Sequence, residues 1–194
     1  MAVGDLIFMG PPGSGKGTQA KGLVRSQGWI QLSTGELFRD NVDRNTPLGR
    51  QVREFLDKGQ YVPDDITVEM VRSRLAELDR GRRIVFDGFP RTEAQAAALD
   101  GLLAEVGRHV DAALLLDVPR EEILNRLGRR ARELGRTDDT PDVIAKRFDV
   151  YEEQTRPLID FYDKIGKVRR VNGVGEVEEV AARVRRAALD GNSK

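Results

Sequence analysis

The chain has 194 residues, 39% hydrophobic and 33% charged, and its 32 basic and 32 acidic side chains cancel to a net charge of +0. That profile fits one globular domain with a full core and argues against nucleic acid or a membrane surface as the main partner. With no cysteine, neither a disulfide framework nor a thiolate zinc site can form, and no stretch approaches the roughly 18 apolar residues of a membrane span.

Residues 1–10 show no basic, apolar signal segment, so a reducing, cytoplasmic setting is expected. The apolar run Leu6–Met9 predicts a first strand. It leads into Gly10-Pro-Pro-Gly-Ser-Gly15-Lys16-Gly17-Thr18, and a helical pattern follows from Gln19 to Val24. A strand, a glycine-rich turn and a helix N-terminus in that order form a phosphate cradle. Glycines let successive N–H groups point inward at oxygens, the helix dipole adds positive potential, and Lys16 supplies a mobile charge. Gly17, not Ser or Thr, follows the lysine, with the hydroxyl one residue later at Thr18. That spacing hints at a nucleotide kinase rather than a GTPase switch.

Trp29–Leu32 predicts the second strand. Residues 33–62 then interrupt the pattern with two short helices, Gly35–Asn41 and Leu48–Leu56, before a helix that starts near Asp64. Ile84–Phe86 predicts the third strand. Thr92-x-x-Gln95 reads as a capping box that opens a helix to about Val106. His109, the single histidine, falls in a polar turn before the fourth strand, Ala112–Leu116, and is expected at the surface. Residues 129–139 form a polar, arginine-rich link between two helices. Thr140-Pro141 places a cap before a proline, and Ile144, Phe148 and Tyr151 then recur at helical spacing. Pro157 is expected to kink or restart that segment. Val168–Val171 predicts the fifth strand, and a last helix runs from Val177 to about Leu189.

The apolar runs lack strict alternation and helices separate them, which predicts an α/β fold: a five-stranded parallel sheet covered by helices on both faces. Asp87 ends the third strand, ahead of Gly88-Phe-Pro-Arg91. An acid at the carboxyl end of a parallel strand, opposite a phosphate loop, suits Mg²⁺ or its waters. In the plainer alternative it caps a turn. Arg39, Arg91, Arg126, Arg130, Arg136 and Arg147 are the candidate anion-binding arginines. Arg126 and Arg130 lie four apart on one helix face, and guanidinium groups grip phosphate oxygens bidentately.

Taken together these pieces resemble the adenylate kinases in their short-lid form, over essentially the whole chain. The matching segments are Gly10–Gln19, Leu32-Ser-Thr-Gly-Glu-Leu37 with Arg39, Gly59–Asp65, Asp87-Gly-Phe-Pro-Arg-Thr92 with Gln95, Gly135-Arg-Thr-Asp-Asp139 and Lys146-Arg147. The resemblance implies a single P-loop kinase domain, 1–194, with a helical monophosphate-binding lobe at 33–62 and a short lid at 129–139. It implies the reaction ATP + AMP ⇌ 2 ADP, with Mg²⁺ accompanying ATP and no zinc. Gly13, Ser14, Gly15, Lys16, Gly17 and Thr18, with Arg126, Arg130 and the backbone of Gly175, would serve ATP. Thr34, Arg39, Gln60, Tyr61, Val62, Gly88, Phe89, Pro90, Arg91, Gln95, Arg136 and Arg147 would serve AMP. Lys16, Arg91, Arg126, Arg130, Arg136 and Arg147 would surround the transferred group, and Asp87 (through water) and Thr18 would serve the metal. The implied partners are ATP, AMP and ADP alone, on a monomer, with no nucleic acid and no membrane.

Two rival functions remain at this point. A pyrimidine monophosphate kinase differs at the position of Ser33-Thr-Gly35 and after Gly-Phe-Pro-Arg, where Thr34, Thr92 and Gln95 favour adenine here. A nucleotide-hydrolysing switch would not explain a separate monophosphate lobe, and the guanine-reading Asn-Lys-x-Asp signature is absent.

Overall fold

The structure, a computed structural model, describes residues 4–79, 81–134 and 140–190. Five strands, β1 (Gly4–Met9), β2 (Ile30–Ser33), β3 (Ile84–Asp87), β4 (His109–Asp117) and β5 (Val168–Asn172), form one sheet in the order β2-β3-β1-β4-β5. Every pairing is parallel, and all five expected strands are present within a few residues of their expected bounds. His109 is the exception to its expectation. It pairs with Gly4 as the first residue of β4 while staying exposed, because the strand begins three residues before its apolar run.

Between β1 and β2 runs α1 (Lys16–Gln27); α2 (Thr34–Asp43), α3 (Pro47–Asp57) and α4 (Asp64–Glu77) precede β3. Then come α5 (Glu93–Ala104) before β4, and α6 (Arg120–Leu134), α7 (Pro141–Val150) and α8 (Arg156–Lys164) before β5. The chain closes on α9 (Val177–Leu189). No described helix is long and apolar enough to cross a membrane.

Covering the sheet on both faces leaves the central stretches of β1, β3 and β4 apolar without alternation, and their side chains divide between two cores. Ile7 and Met9 of β1 join Ile84, Phe86, Leu99, Leu103 and Tyr162 under α4, α5 and α8. Leu6 and Phe8 join Leu23, Leu114, Leu116, Val180 and Val184 under α1 and α9. Two smaller clusters lie outside the sheet. Phe38, Val52 and Val62 knit α2 and α3 to the start of α4, while Ile123, Leu127, Ile144 and Phe148 knit α6 to α7.

The helix starts behave as their sequences dictate, with two departures, at Gln95 and at Thr140. Ser33 and Thr46 cap α2 and α3 by accepting from Glu36 and Gly49 N–H. Thr92 likewise accepts from Gln95 N–H, but the Gln95 side chain reaches back to Arg91 N–H rather than to Thr92. Thr140 occupies the N-cap position of α7 without a side-chain cap bond, with Pro141 next to it. Between α7 and α8, Tyr151–Thr155 form one π turn, in which Arg156 N–H reaches the Tyr151 carbonyl. Pro157 accounts for it: its nitrogen has no hydrogen for a helical bond and its ring crowds the preceding turn, so the helix widens and restarts.

At the amino ends of the strands, opposite the phosphate loop, a charged cluster is buried. Asp5, wholly unexposed, accepts from Ile84 N–H at 2.8 Å and from Arg108 Nε at 2.8 Å, with a second contact to Arg108 Nη2. Arg83 pairs with Asp111, bonds the Gly4 and Ala188 carbonyls, and lies over the Trp29 ring at 4.9 Å.

Candidate functional site

The site lies where parallel sheets place ligands, at the carboxyl ends of β1 and β3. Gly10, Gly13 and Gly15 all have positive φ, which curls the loop after β1. Lys16 opens α1 behind Gly15, which contributes no capping side chain. The first N–H groups of a helix begun this way lack intrahelical partners and face an incoming anion.

Lys16 as a whole is half-buried, but its ammonium is turned onto the loop. Nζ donates to the carbonyls of Gly10 at 2.7 Å and Pro11 at 2.9 Å, and to Ser14 Oγ at 3.4 Å. Desolvation lowers its pKa from 10.5 to about 8; Asp87 opposes that shift, while Arg91, Arg147 and Arg130 add to it. Three guanidinium groups from three separate elements thus act on one lysine. Such a concentration of positive charge suits a polyanionic ligand.

Asp87 stands across the loop from α1. Its Oδ2 accepts from Gln31 Nε2 at 3.2 Å and Ser33 Oγ at 3.3 Å, both from β2. A Cβ added at Gly17 would lie 3.2 Å from that same oxygen. This close approach means that a side chain at position 17 would press on the Asp87 carboxylate. Among the described residues no group of three or more acidic or imidazole side chains could hold a metal ion. A single carboxylate facing a phosphate cradle does fit Mg²⁺, which takes one or two carboxylates and keeps phosphate and water as its remaining ligands.

Beside this loop a pocket of about 570 Å³, open mouth included, is walled by α2, α3 and the loops after β3 and α3. Thr34, Arg39, Gln60, Tyr61, Val62, Gly88, Arg91, Gln95 and Arg147 line it, so nine of the residues proposed from sequence meet in one cavity. Phe89 and Pro90 do not line it; both are buried, Phe89 within the main core, and a cis peptide joins them. Gly88, at φ +77°, has no room for a side chain, since a Cβ would come within 2.9 Å of Arg91 Nη2 and 3.0 Å of Thr34 Oγ1. Its carbonyl collects Thr34 Oγ1 and Arg91 Nε, each at 2.8 Å.

Gln95 is held hard. Its Oε1 accepts from Arg91 N–H at 2.8 Å and its Nε2 donates to Asp64 Oδ1 at 2.6 Å, while Thr92 Oγ1 donates to the other Asp64 oxygen. One amide hydrogen and one lone pair stay available to a ligand. Asp64 was missed in sequence because it reads as a first-turn acid of α4, and so were the pocket's apolar walls, Phe38 and Leu56. Their helical periodicity is legible, but it does not say which apolar side chains a ligand shares with the core.

On the other side of the loop, Arg126 links three segments: Glu122 on its own helix, the Ser14 carbonyl at 3.2 Å and the Gly173 carbonyl at 2.9 Å. Gly175 follows in the exposed turn that leads to α9, at φ +120°. Thr18 is exposed on the first turn of α1. Arg130 is half-buried and acts on Lys16, whereas Arg129 and Arg132 are exposed. Arg136 lies outside the described residues, as do residues 135–139 of the segment expected to be the lid.

Comparison with known proteins agrees with this geometry. The sequence model of the family described as "Adenylate kinase" matches residues 8–167. The "Adenylate kinase" of Thermus thermophilus is 48% identical over 188 residues, which are 96% of this chain and 98% of that protein. Those of Maricaulis maris and Nocardioides sp. are 50% and 49% identical over 186 and 179 residues, covering 96% and 92% of this chain and 98% and 94% of their own lengths.

Proposed function

The chain belongs to the adenylate kinase family and catalyses ATP + AMP ⇌ 2 ADP, and from that premise we propose how its residues divide the work. Gly13–Thr18 and Arg126 hold the ATP phosphates, and the Gly175 backbone meets the adenine. AMP occupies the pocket lined by Thr34, Arg39, Gln60–Val62, Arg91, Gln95 and Arg147. One observation carries this assignment: Arg91 and Arg147 line the pocket and also act on Lys16. A monophosphate in the pocket therefore presents its phosphate to the lysine of the loop.

The nucleophile is a phosphate oxygen of AMP, already ionised at neutral pH because its second pKa is about 6. No protein base is required, and His109 lies at the far end of β4. Catalysis rests on alignment and on charge neutralisation by Lys16, Arg91, Arg126, Arg130, Arg136 and Arg147. Asp87, through water, and Thr18 would hold Mg²⁺, which supplies further neutralisation of the phosphate oxygens. Residues 33–62 act as the monophosphate lobe and 129–139 as the lid; their closure keeps water from intercepting the phosphoryl group. The setting this implies is a cytoplasmic monomer that balances the adenine nucleotides.

Steady-state rates with AMP, UMP, CMP and GMP as acceptors test the pocket. AMP is expected to exceed each pyrimidine by about 100-fold in kcat/KM, the discrimination that placed hydrogen-bonding groups support. A preference for UMP or CMP would overturn the assignment of Thr34 and Gln95.

A further inference from the structure

Thr155 is the last residue of the π turn between α7 and α8. The residue is 7% exposed, and its Oγ1 lies 2.7 Å from the Tyr61 hydroxyl and 3.0 Å from the Arg91 carbonyl oxygen. Three distant segments of the chain meet at this one hydroxyl. Such turns are rare and recur at functional sites.

The direction of the protons follows from chemistry. A carbonyl oxygen only accepts, so the single Thr155 hydroxyl hydrogen goes to Arg91. Thr155 must then accept in its other contact, and Tyr61 is the donor. The Tyr61 ring also lies against the Arg91 guanidinium, 4.6 Å from the ring centre. One tyrosine therefore holds Arg91 at both ends: its ring meets the guanidinium, and through Thr155 its hydroxyl steadies the backbone. The Gly88 carbonyl and Gln95 Oε1, each at 2.8 Å, complete the hold on Arg91.

We propose that Thr155 is a positioning residue which, with the Tyr61 hydroxyl, sets the angle at which Arg91 meets the AMP phosphate. This rests on the assignment of Arg91 as a phosphate clamp. Arginine carries many rotamers, and a fork held before the ligand arrives loses less freedom on binding and on reaching the transition state. The junction also ties Tyr61, at the root of the 33–62 segment, to the helix pair that carries Arg147. Thr155 touches no nucleotide in this account and acts wholly through Arg91.

Thr155→Val removes the hydroxyl at nearly constant volume, and Tyr61→Phe keeps the ring while removing the proton. Each is expected to lower kcat/KM for AMP by about tenfold and to leave KM for ATP within about twofold. Thr155→Ser restores most of the loss, and the double variant is no slower than the slower single, because both changes break one chain of bonds. Thr155→Val at the wild-type rate, Thr155→Ser as slow as Val, equal losses for both nucleotides, or multiplied losses in the double variant would each overturn the proposal. If Thr155→Val does not fold, Thr155→Ala beside Thr155→Ser decides by the same split between AMP and ATP. Arg91→Ala, assayed alongside, separates the two levels. A normal rate there removes the clamp itself, whereas a slow Arg91→Ala beside a normal Thr155→Val removes only the positioning.

Discussion

Replacing Lys16 with methionine is expected to lower kcat by about a thousandfold or more, with the fold intact. The ammonium is seated inside the phosphate loop, where it bonds the Gly10 and Pro11 carbonyls in the free protein. A thioether of similar length fills the same space and neutralises nothing. Circular dichroism matching the wild type would show that the loss is chemical, and a rate within tenfold of wild type would remove Lys16 from the mechanism. The pH profile adds a second readout. Burial lowers the pKa of Lys16 to about 8, so the free enzyme loses the charged form as pH rises through that value. kcat/KM for ATP should accordingly fall above about pH 8 in the wild type. The Lys16→Met profile should lack that limb.

Asp5→Ala should destabilise the protein by about 3–5 kcal/mol, the usual loss when one member of a buried ion pair is removed. Asp5 is unexposed, Arg108 nearly so, and the change would leave the guanidinium without its carboxylate and Ile84 N–H without its acceptor. Urea unfolding followed through Trp29, the single tryptophan, measures the change in midpoint at constant slope. Replacing both partners with apolar residues, Asp5→Leu with Arg108→Met, should recover most of the loss. A midpoint unchanged in Asp5→Ala would show that the cluster contributes nothing to stability. Because this cluster sits at the amino ends of the strands, away from the phosphate loop, kcat at low temperature should not follow it.

Much of this molecule is legible in its sequence because the physics is local there. Leu6–Met9 reads as a strand buried on both faces, and the glycines after it suit a tight loop. The phosphate loop and Asp87 at a strand end are suggested by position, and Arg91 by the motif that it shares with the family resembled. Which residues share a pocket is not legible in this way. Phe89 and Pro90 belong to the same short motif as Gly88 and Arg91 but both are buried, Phe89 in the main core, and neither lines the pocket. Asp64 and Thr155 act through contacts with residues tens of positions away, and nothing in their own neighbourhood marks them. The buried pairing of Asp5 with Arg108 spans 103 residues and is equally silent in the sequence. Gly17 is the reverse case. Its departure from the usual motif was visible at once, and the nearness of Asp87 to it needed three dimensions.

The most direct test is a crystal structure with two adenosines joined by five phosphates. The account predicts one adenosine in the pocket beside Thr34, Val62 and Gln95 and the other beside Gly175, with Lys16 and Arg91 on neighbouring phosphates between them. An adenosine bound elsewhere, with that pocket empty while the phosphate loop is filled, would contradict it.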